Sequence, residues 1–562
     1  MIDKSAVARA LREIGLYLEL KGENKFRARA YETGARAVEE LREELGTLVD
    51  EERLTSVPGI GPALAATIAE IWSTGRSQQL ERLQKELPPG VLELAEVPGL
   101  GLKKIQQLWT ALGIDSVEAL KRACAAGRIG EVKGFGPKTQ QKILDGIERW
   151  ERRDERVRLV DAIEDAEEIG AYLAADPACK RVELAGSLRR WRETASDADF
   201  LVASDDPAEV IKRLINYARV TRVVDHAERS ARVRLSNGFH VELHVVGADE
   251  FAPALVRLTG SPEHVARLEA SARDEKVSLD APAPDERAVY ARLGMAYVAP
   301  ELREDRGEIE AALDGTVPQD LVELGDIRGM THCHTVYSDG KATIEEMARA
   351  AEAMGMEYIT ITDHSPAAHY AGGVTLDRLK QQWDEIARVQ ETVKVRLLRG
   401  TESDILEDGA LDYPDAVLEE FDVVIASIHS RMKMDEAAMT RRLVAAMRQP
   451  VFKVWGHALG RLILRRDPFA CRVDEVLDAI AGSRAAIEIN GDPYRLDLAP
   501  EHAQAARARG IKFVISTDAH STGNLHNLRF GVHTARRGWM RRGEVLNALD
   551  ADAFARAVRP AG

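Results

Sequence analysis

The strongest constraint on the fold is a spaced series of histidines and carboxylates that begins at Thr331-His332-Cys333-His334. His332 and His334 are two positions apart, so both imidazoles point to the same face if the segment is extended. Asp339 follows in a Ser-Asp-Gly turn. Nearly all of the later members stand at the end of a short apolar, β-branched run, and helical patterns separate these runs. They are His364, Glu402, His429, His457, Asp518 and His520.

This placement predicts a parallel β/α barrel, in which the C-terminal ends of the strands form one rim that carries the site. A single histidine is more often a core or surface residue than a ligand. The repeated placement at strand ends favours a metal centre over that alternative. The donors are all nitrogen or oxygen, a set that suits several divalent ions of the Zn, Mn or Fe type.

A pentapeptide with two glycines occurs three times in the N-terminal region, and a helical pattern follows each copy. Such a turn presents free backbone N–H groups at a helix N-terminus, where an anion is held well. The copies resemble helix-hairpin-helix motifs, which grip the phosphate backbone without reading bases. The copies are Val57-Pro58-Gly59-Ile60-Gly61, Val97-Pro98-Gly99-Leu100-Gly101 and Val132-Lys133-Gly134-Phe135-Gly136.

Lysines after the second and third copies, Lys103, Lys104 and Lys138, favour DNA as the ligand, whereas the first copy has Pro62 and Ala63 there. The alternative for any one copy is a purely structural turn between packed helices. The net charge of −15 is unusual for a DNA-binding protein, but residues 1–150 hold 22 Lys+Arg and 22 Asp+Glu, so the acidity lies in residues 151–562. Bound divalent cations would offset those carboxylates.

A second carboxylate cluster precedes the histidine series. Asp197 and Asp199 are two positions apart in a strand pattern, so they face the same way and can share a pair of Mg²⁺ or Mn²⁺ ions. Glu242, in a neighbouring strand, supplies a third acid. Such ions activate a 3′-hydroxyl and stabilise a leaving pyrophosphate.

Gly186, Ser187 and Arg189 follow a short predicted strand. The backbone N–H groups of the Gly-Ser turn and the guanidinium can hold a nucleoside triphosphate. Residues 1–315 resemble the family X DNA polymerases through this Gly-Ser turn and the Asp-X-Asp pair. Residues 326–562 resemble the PHP (polymerase and histidinol phosphatase) family. The order of the parts is that of the bacterial family X polymerases.

The resemblance implies a multidomain chain: an α-helical helix-hairpin-helix region, an α+β nucleotidyltransferase palm with a thumb, and a distorted β/α barrel. We expect an N-terminal helical domain with the first hairpin, a fingers-like hairpin region, the palm, the thumb and the PHP domain. Their boundaries are 1–88, 89–150, 151–248, 249–318 and 326–562.

The PHP resemblance implies that the nine side chains bind up to three ions. One ion takes His332, His334, Glu402 and Asp518, a second takes Glu402, His429 and His457, and the third takes Asp339, His364 and His520. Glu402 would bridge two ions. Arg431 and Arg461 are candidates to neutralise the phosphate, and surface ion pairs are the alternative for both.

The chain departs from the polymerase family at several positions. Glu242 stands where the family has Asp, and its extra methylene changes the spacing of the metals. Trp191 replaces a glycine, and Val265 and Glu269 replace the Asn and Arg that touch nucleotide and template. The segment 63–68 lacks the lysine of the family's lyase site, so we expect no 5′-deoxyribose-phosphate lyase activity.

Four functions are compatible with these sequence features. The first is a DNA repair enzyme with a metal-dependent phosphodiesterase: a 3′→5′ exonuclease, an abasic-site endonuclease or a 3′-phosphatase. The second is a gap-filling polymerase acting on gapped, nicked or 3′-ended DNA with dNTPs. The third is a palm that only binds DNA and presents it to the nuclease. The fourth is a small-molecule phosphoesterase, which three phosphate-backbone motifs disfavour.

The hydropathy and the cysteine content of the chain indicate where the protein acts. No run approaches the ~20 apolar residues of a membrane span, so we expect no membrane partner. The four cysteines are scattered without a paired motif, which indicates a reducing cytoplasm. We expect a monomer.

Overall fold

The computed structural model describes residues 4–21, 25–39, 45–57, 59–86, 94–95, 97, 99–151 and 156–560. Pro58 and Pro98 of the repeats lie outside these ranges. The chain divides into two compact units. The first holds residues 1–156, 215–224 and 233–240, and the second holds 157–214, 225–232 and 241–562. No helix in the described ranges is both long enough and apolar enough to cross a membrane.

The first unit is built on amphipathic helices. Val7, Leu11, Ile14 and Leu18 recur every three or four residues along the first helix, and all four are buried in the helical core. Apolar spacing predicts helices over residues 3–20 and 24–45: the first is described from Lys4 to Leu20, and the second from Lys25 to Glu39. The helices are α1 Lys4–Leu20, α2 Lys25–Glu39, α3 Leu45–Asp50, α4 Pro62–Thr74, α5 Gln78–Glu86, α6 Leu102–Leu112, α7 Val117–Ala125 and α8 Pro137–Glu151.

Residues 151–248, which are predicted to form the palm, contain a short antiparallel pair of strands, β1 and β3, and a five-stranded sheet in the order β2-β4-β7-β6-β5. Strand β4 carries Asp197 and Asp199, and β7 carries Glu242 beside it. The strands are β1 Val157–Arg158, β2 Arg181–Leu184, β3 Thr194–Ala195, β4 Asp197–Ala203, β5 Val220–Ala227, β6 Ser230–Leu235 and β7 His240–Val246. The helices are α9 Leu159–Ala174, α10 Gly186–Arg189 and α11 Pro207–Ile215.

Residues 249–318, which are predicted to form the thumb, are mainly helical. Their core includes Val256, Leu268, Tyr290 and Leu293, all nearly inaccessible to solvent. Inside this core, His264 Nδ1 lies 2.6 Å from Glu308 Oε1, and its Nε2 lies 2.8 Å from the Tyr290 hydroxyl. The helices are α12 Phe251–Thr259, α13 Pro262–Asp274, α14 Glu286–Arg292 and α15 Glu308–Leu313.

The C-terminal region is a parallel sheet of seven strands in the order β14-β13-β12-β11-β10-β9-β8. Every pairing is parallel, and most of the strands are buried along their whole length because helices cover the sheet. The strands are β8 Gly329–Met330, β9 Tyr358–Ile361, β10 Arg396–Asp404, β11 Val423–Ser427, β12 Val454–Trp455, β13 Ala486–Asn490 and β14 Phe513–Ser516. The helices are α16 Ile344–Ala353, α17 Leu376–Gln390, α18 Asp415–Leu418, α19 Glu436–Arg448, α20 Val473–Ala481, α21 Pro500–Ala508, α22 Leu528–Arg537 and α23 Ala551–Ala557.

The two edge strands of this sheet come together just beyond their ends. The His334 N–H donates to the Ala519 carbonyl at 2.8 Å, and the Ala519 N–H donates to the His332 carbonyl at 2.9 Å. Cys333 and Ala519 form a parallel bridge. The sheet therefore nearly closes into a barrel, which confirms the predicted fold class.

Candidate functional site

All nine predicted metal ligands lie at one rim of the barrel: Glu402 lies near the C-terminal end of β10, and the others lie in the segments that follow the strands. Gly340 shows how tightly the first loop packs: a Cβ there would lie 2.5 Å from the His334 backbone, so only glycine fits. His457 and Asp518 adopt positive φ values of 25° and 49°. Such backbone strain persists where the surrounding structure holds a functional side chain in place.

Glu402 is the centre of the site. Its Oε1 lies 2.8 Å from His457 Nε2 and 3.3 Å from His429 Nε2. Its Oε2 lies 2.9 Å from His364 Nδ1, and 3.5 Å from the Nε2 atoms of both His332 and His334. Five imidazoles therefore surround one buried carboxylate, which is the arrangement that a bridging ligand requires.

The ligand atoms fall into three groups, within each of which they lie no more than 4.8 Å apart. His334 and His364 each belong to two groups, so the division among ions is less sharp than the resemblance implied. His457 joins the cluster through Glu402. The groups are His332, His334 and Asp518; His364, Glu402 and His429; and His334, Asp339, His364 and His520.

The inner atoms of the cluster fit divalent cations. His332 Nε2, His334 Nε2 and Glu402 Oε2 are buried and make no hydrogen bond. Leaving buried polar atoms in this state is costly unless a ligand satisfies them. Burial, with the nearby imidazoles of His520 and His364, lowers the pKa of His334 to about 3, so this ring is neutral, the form that binds metals.

The carboxylates are ionised. Burial alone would raise the pKa of Glu402, but the imidazoles of His429, His364 and His332 outweigh it and hold that pKa well below the usual value. Asp518 shows the same balance, with His332 as the main opposing group. Although burial lowers it, the nearby carboxylates raise the pKa of His332 well above its usual value and that of His429 to about 10. A divalent ion that binds here therefore displaces protons from these rings.

The sequence interpretation missed the residues that orient these ligands. Glu488 is fully buried, and its Oε1 lies 2.6 Å from His332 Nδ1 and accepts from Ser516 Oγ at 2.6 Å. Its Oε2 accepts from the His457 backbone N–H and, at 3.1 Å, from Asn490 Nδ2. The sequence does contain a clue to Glu488, because this glutamate interrupts the apolar run Ala486–Ile489 of the buried strand β13.

Asp404 and Arg495 are two further neighbours of the ligands. Asp404 Oδ1 lies 3.3 Å from His429 Nδ1, and Arg495 Nε lies 3.3 Å from Asp518 Oδ2. Carboxylates that fix the ring of a ligating histidine are typical of metal centres. The Arg495 side chain places a positive charge at the edge of the cluster.

The two predicted phosphate-binding arginines have other partners. Arg431 is exposed and its Nε lies 3.0 Å from Glu407 Oε2. Arg461 donates through Nε to the Arg495 carbonyl at 2.9 Å, and its Nη2 lies 3.4 Å from Glu193 of the palm. Their roles in catalysis remain predictions, and Arg461 also supports the backbone that carries Arg495.

The palm carboxylates are close enough to interact. Burial, Asp197 and Glu242 raise the pKa of Asp199 to about 7. Arg232 Nε lies 3.2 Å from Glu242 Oε1. Among the described residues, the groups of three or more ligands within 4.8 Å lie in the C-terminal region and do not include this trio. A metal ion bound by Asp197, Asp199 and Glu242 would require their carboxylate oxygens to move closer to one another.

The Gly-Ser turn packs against the same carboxylates. Gly186 has a φ of 60°, and a Cβ there would lie 1.7 Å from Asp199 Oδ2, so this position requires glycine. The Ser187 hydroxyl is buried without a hydrogen-bond partner. The Arg189 guanidinium pairs with both carboxylate oxygens of Glu286, at 2.9 and 2.7 Å, and donates to Thr259 Oγ1 at 2.8 Å. To bind a triphosphate, Arg189 would have to leave Glu286.

The substituted positions also have structural partners. Trp191 has a φ of 54°, which explains why glycine is suited to this position. Its ring stacks on His533 of α22 with centroids 3.7 Å apart and meets Phe530 edge-on. Glu269 pairs with Arg257 of the thumb. The Trp191 contacts join this residue to α22, whereas the Glu269 pair links α12 with α13.

The three glycine repeats share one geometry. The first glycine of each copy has a positive φ: 91° at Gly59, 85° at Gly99 and 97° at Gly134. The residue between the glycines is buried and anchors the turn, at Ile60, Leu100 and Phe135. Helices α4, α6 and α8 begin directly after the second glycines, Gly61, Gly101 and Gly136.

The glycines of the three turns are exposed, and so are Lys103 and Lys138. Lys104 is half-buried, and its Nζ lies 3.5 Å from the Gly99 carbonyl. Each turn thus presents a helix N-terminus to solvent, which is the arrangement that binds a phosphate.

Three regions of the chain match known families. Residues 2–77 match the helix-hairpin-helix domain, residues 91–149 match the SAM-like helix-hairpin-helix tandem, and residues 331–492 match the PHP domain. The three matches cover the repeats and most of the metal cluster.

Individual proteins are similar to the chain over different lengths. The DNA polymerase/3′-5′ exonuclease PolX of Bacillus subtilis strain 168 is 37% identical over 569 residues, covering 98% of this chain and 99% of that protein. Probable phosphatases of Caldanaerobacter subterraneus and Thermoanaerobacter sp. strain X514 are each 30% identical over 34% and 39% of this chain, and 75% and 89% of those proteins.

Proposed function

Because the chain belongs to the family of the Bacillus subtilis DNA polymerase/3′-5′ exonuclease PolX, we propose that it is a DNA repair enzyme whose metal centre hydrolyses DNA phosphodiesters. The observation that carries this proposal is the cluster of eight predicted ligands around the buried carboxylate of Glu402, in a chain that also has three glycine turns at helix N-termini. The preferred reaction is removal of nucleotides from a 3′ end. Abasic-site cleavage and 3′-phosphate removal use the same chemistry.

The protein's own residues prepare the site for an anionic substrate. Divalent ions of the Mn, Zn or Fe type, held by the nine ligands, would polarise the phosphate and supply a hydroxide near neutral pH. Glu488 and Asp404 hold His332 and His429 in place. Arg495 adds a positive charge beside Asp518 and favours binding of the scissile phosphate.

The test is an exonuclease assay with Mn²⁺ on a 3′-labelled oligonucleotide. His334→Ala and Glu402→Ala should abolish nuclease activity, because each removes a ligand from the centre of the cluster. Both variants should keep any primer extension that the wild type shows. Full nuclease activity in either variant would reject the proposed metal centre.

The palm supports a second activity, gap filling with dNTPs and Mg²⁺ or Mn²⁺. The placement of Asp197 and Asp199 on β4, with Glu242 on the adjacent strand β7, favours it. The pairing of Arg189 with Glu286 favours the alternative, a palm that binds DNA without polymerising. Primer extension on a one-nucleotide gap separates the two, with Asp199→Asn as the control: incorporation above this control supports the polymerase.

The proposal also covers the oligomeric state, the cellular compartment and the form of the DNA substrate. We infer that the enzyme acts as a monomer in the cytoplasm on gapped, nicked or 3′-ended DNA. The buried free thiols of Cys124, Cys179 and Cys333 are consistent with a reducing compartment.

A further inference from the structure

An exposed aromatic ring stands beside the metal ligands. Tyr370 is 70% exposed, an unusual value for an aromatic side chain. Its ring centroid lies 6.0 Å from that of His364 and 6.1 Å from that of His429. One side of the ring therefore faces the ligand cluster, while most of its surface is open to solvent.

The turn that carries Tyr370 is held in place by its own contacts. Ala371 is buried, and the Gly373 N–H donates to the Ala368 carbonyl at 3.2 Å. The Val374 N–H donates to the carbonyl of the ligand His364 at 2.8 Å. The turn is thus tied to the backbone of a ligand residue.

A side-chain contact fixes the other end of the turn. The Ala367 N–H donates to Asp412 Oδ2 at 2.7 Å. Close packing adds to this, because a Cβ at Gly373 would lie 2.0 Å from the Ser365 carbonyl oxygen. The ring is therefore presented from a defined position, and little ordering is needed when it meets a ligand.

Apart from this ring, the groups at the rim are mainly imidazoles, carboxylates and Arg495, which suit a phosphate and its cations. A nucleotide also carries a flat base, separated from its phosphate by one sugar. An aromatic ring next to a phosphate site can stack on that base whatever its identity, because every base has a π-face.

We propose that Tyr370 stacks on the base of the nucleotide whose phosphodiester lies at the metal centre, and so makes the enzyme prefer ends that carry a base. This role rests on the proposed nuclease function and names the feature of the substrate that the site recognises. Tyr370 is a specificity-determining residue in this scheme, and the phosphate chemistry belongs to the ligand cluster.

The experiment compares two single-stranded oligonucleotides that differ only at the 3′-terminal nucleotide, one with thymine and one with an abasic tetrahydrofuran. Hydrolysis with Mn²⁺ is measured as kcat/KM for wild type, Tyr370→Ala, Tyr370→Phe and Tyr370→Trp. Leu376→Ala is the matched control, since Leu376 is another exposed apolar side chain nearby in the sequence. Circular dichroism and bound-metal analysis verify each variant.

The wild type should favour the thymine end, and Tyr370→Ala should reduce kcat/KM on that end about 5- to 160-fold, the range for loss of one stacked base. The loss should appear mainly in KM. On the abasic end this variant should match the wild type. Tyr370→Phe and Tyr370→Trp should keep the preference, because they retain the ring, and Leu376→Ala should leave it unchanged.

Three results would overturn the stacking role: an unchanged preference in Tyr370→Ala, an equal loss on both ends, or a loss in Tyr370→Phe as large as in Tyr370→Ala. The last result would assign the effect to the hydroxyl. A wild type that hydrolyses neither oligonucleotide would instead overturn the proposed nuclease function, and this role with it.

Discussion

Glu488→Gln is the substitution that most directly tests how the metal centre is built. The carboxylate accepts hydrogen bonds on both oxygens, with His332 and Ser516 on one side and His457 and Asn490 on the other. Glutamine has the same shape but can accept on only one side. The change therefore leaves the packing intact and alters the hydrogen bonding and the charge. Burial alone would raise the pKa of Glu488, but His332 outweighs it and lowers that pKa, so the carboxylate is ionised.

Either orientation of the amide damages the site. If its oxygen faces His332, the NH₂ group meets the His457 N–H and the Asn490 amide, and leaving such buried donors unsatisfied costs about 1–3 kcal/mol each. If its NH₂ group faces His332, the Nδ1 atom must accept, and the proton of the neutral ring moves to Nε2. That nitrogen is the one that points at Glu402 and Asp518, so the ring could no longer bind a metal.

We therefore expect Glu488→Gln to weaken metal binding about 10- to 100-fold, as for other carboxylates that orient a ligating histidine. The assay is the Mn²⁺ concentration that gives half-maximal exonuclease activity, together with bound-metal analysis. Glu385→Gln is the control, because Glu385 is a carboxylate that accepts from the Tyr337 hydroxyl at 2.8 Å, outside the ligand cluster. A folded Glu488→Gln protein with the same Mn²⁺ requirement as this control would refute the reasoning.

Three further predictions concern stability in urea. Arg189→Met should lower the free energy of unfolding by about 1–3 kcal/mol, because Glu286 loses a bidentate charged donor; an unchanged midpoint would contradict the ion pair. Both Trp191→Gly and Trp191→Ala lose the stack on His533, but the glycine variant should be more stable by about 1–2 kcal/mol because φ is 54°. Equal midpoints would argue against strain at this residue. Burial lowers the pKa of Lys453 to about 8 from 10.5, so the unfolded chain binds more protons between these pH values. The stability of wild type relative to Lys453→Met should rise by about 3 kcal/mol from pH 7 to pH 10.5, and a flat difference would exclude a depressed pKa.

The sequence by itself determined the elements and the nine predicted ligands. Runs of apolar and β-branched residues mark buried strands, and the residues at the ends of these runs must lie at the same rim once the strands are parallel, as His332, Glu402 and Asp518 do. The glycine turns could also be predicted from the sequence, because the positive φ at Gly59, Gly99 and Gly134 is a local requirement of the backbone. Periodicity and turn chemistry act over a few residues, so they can be recognised without the fold.

Only the tertiary structure decided which groups meet. Glu488 lies 156 positions from His332 in the sequence, and Glu286 lies 97 positions from Arg189, yet each pair is in hydrogen-bond contact. Tyr370 lies in no periodic sequence pattern, and its place beside His364 and His429 depends on the hydrogen bonds that tie its turn to His364 and Asp412. A side chain's type and spacing indicate the face it occupies, but its partner depends on packing between distant segments, which no local pattern records.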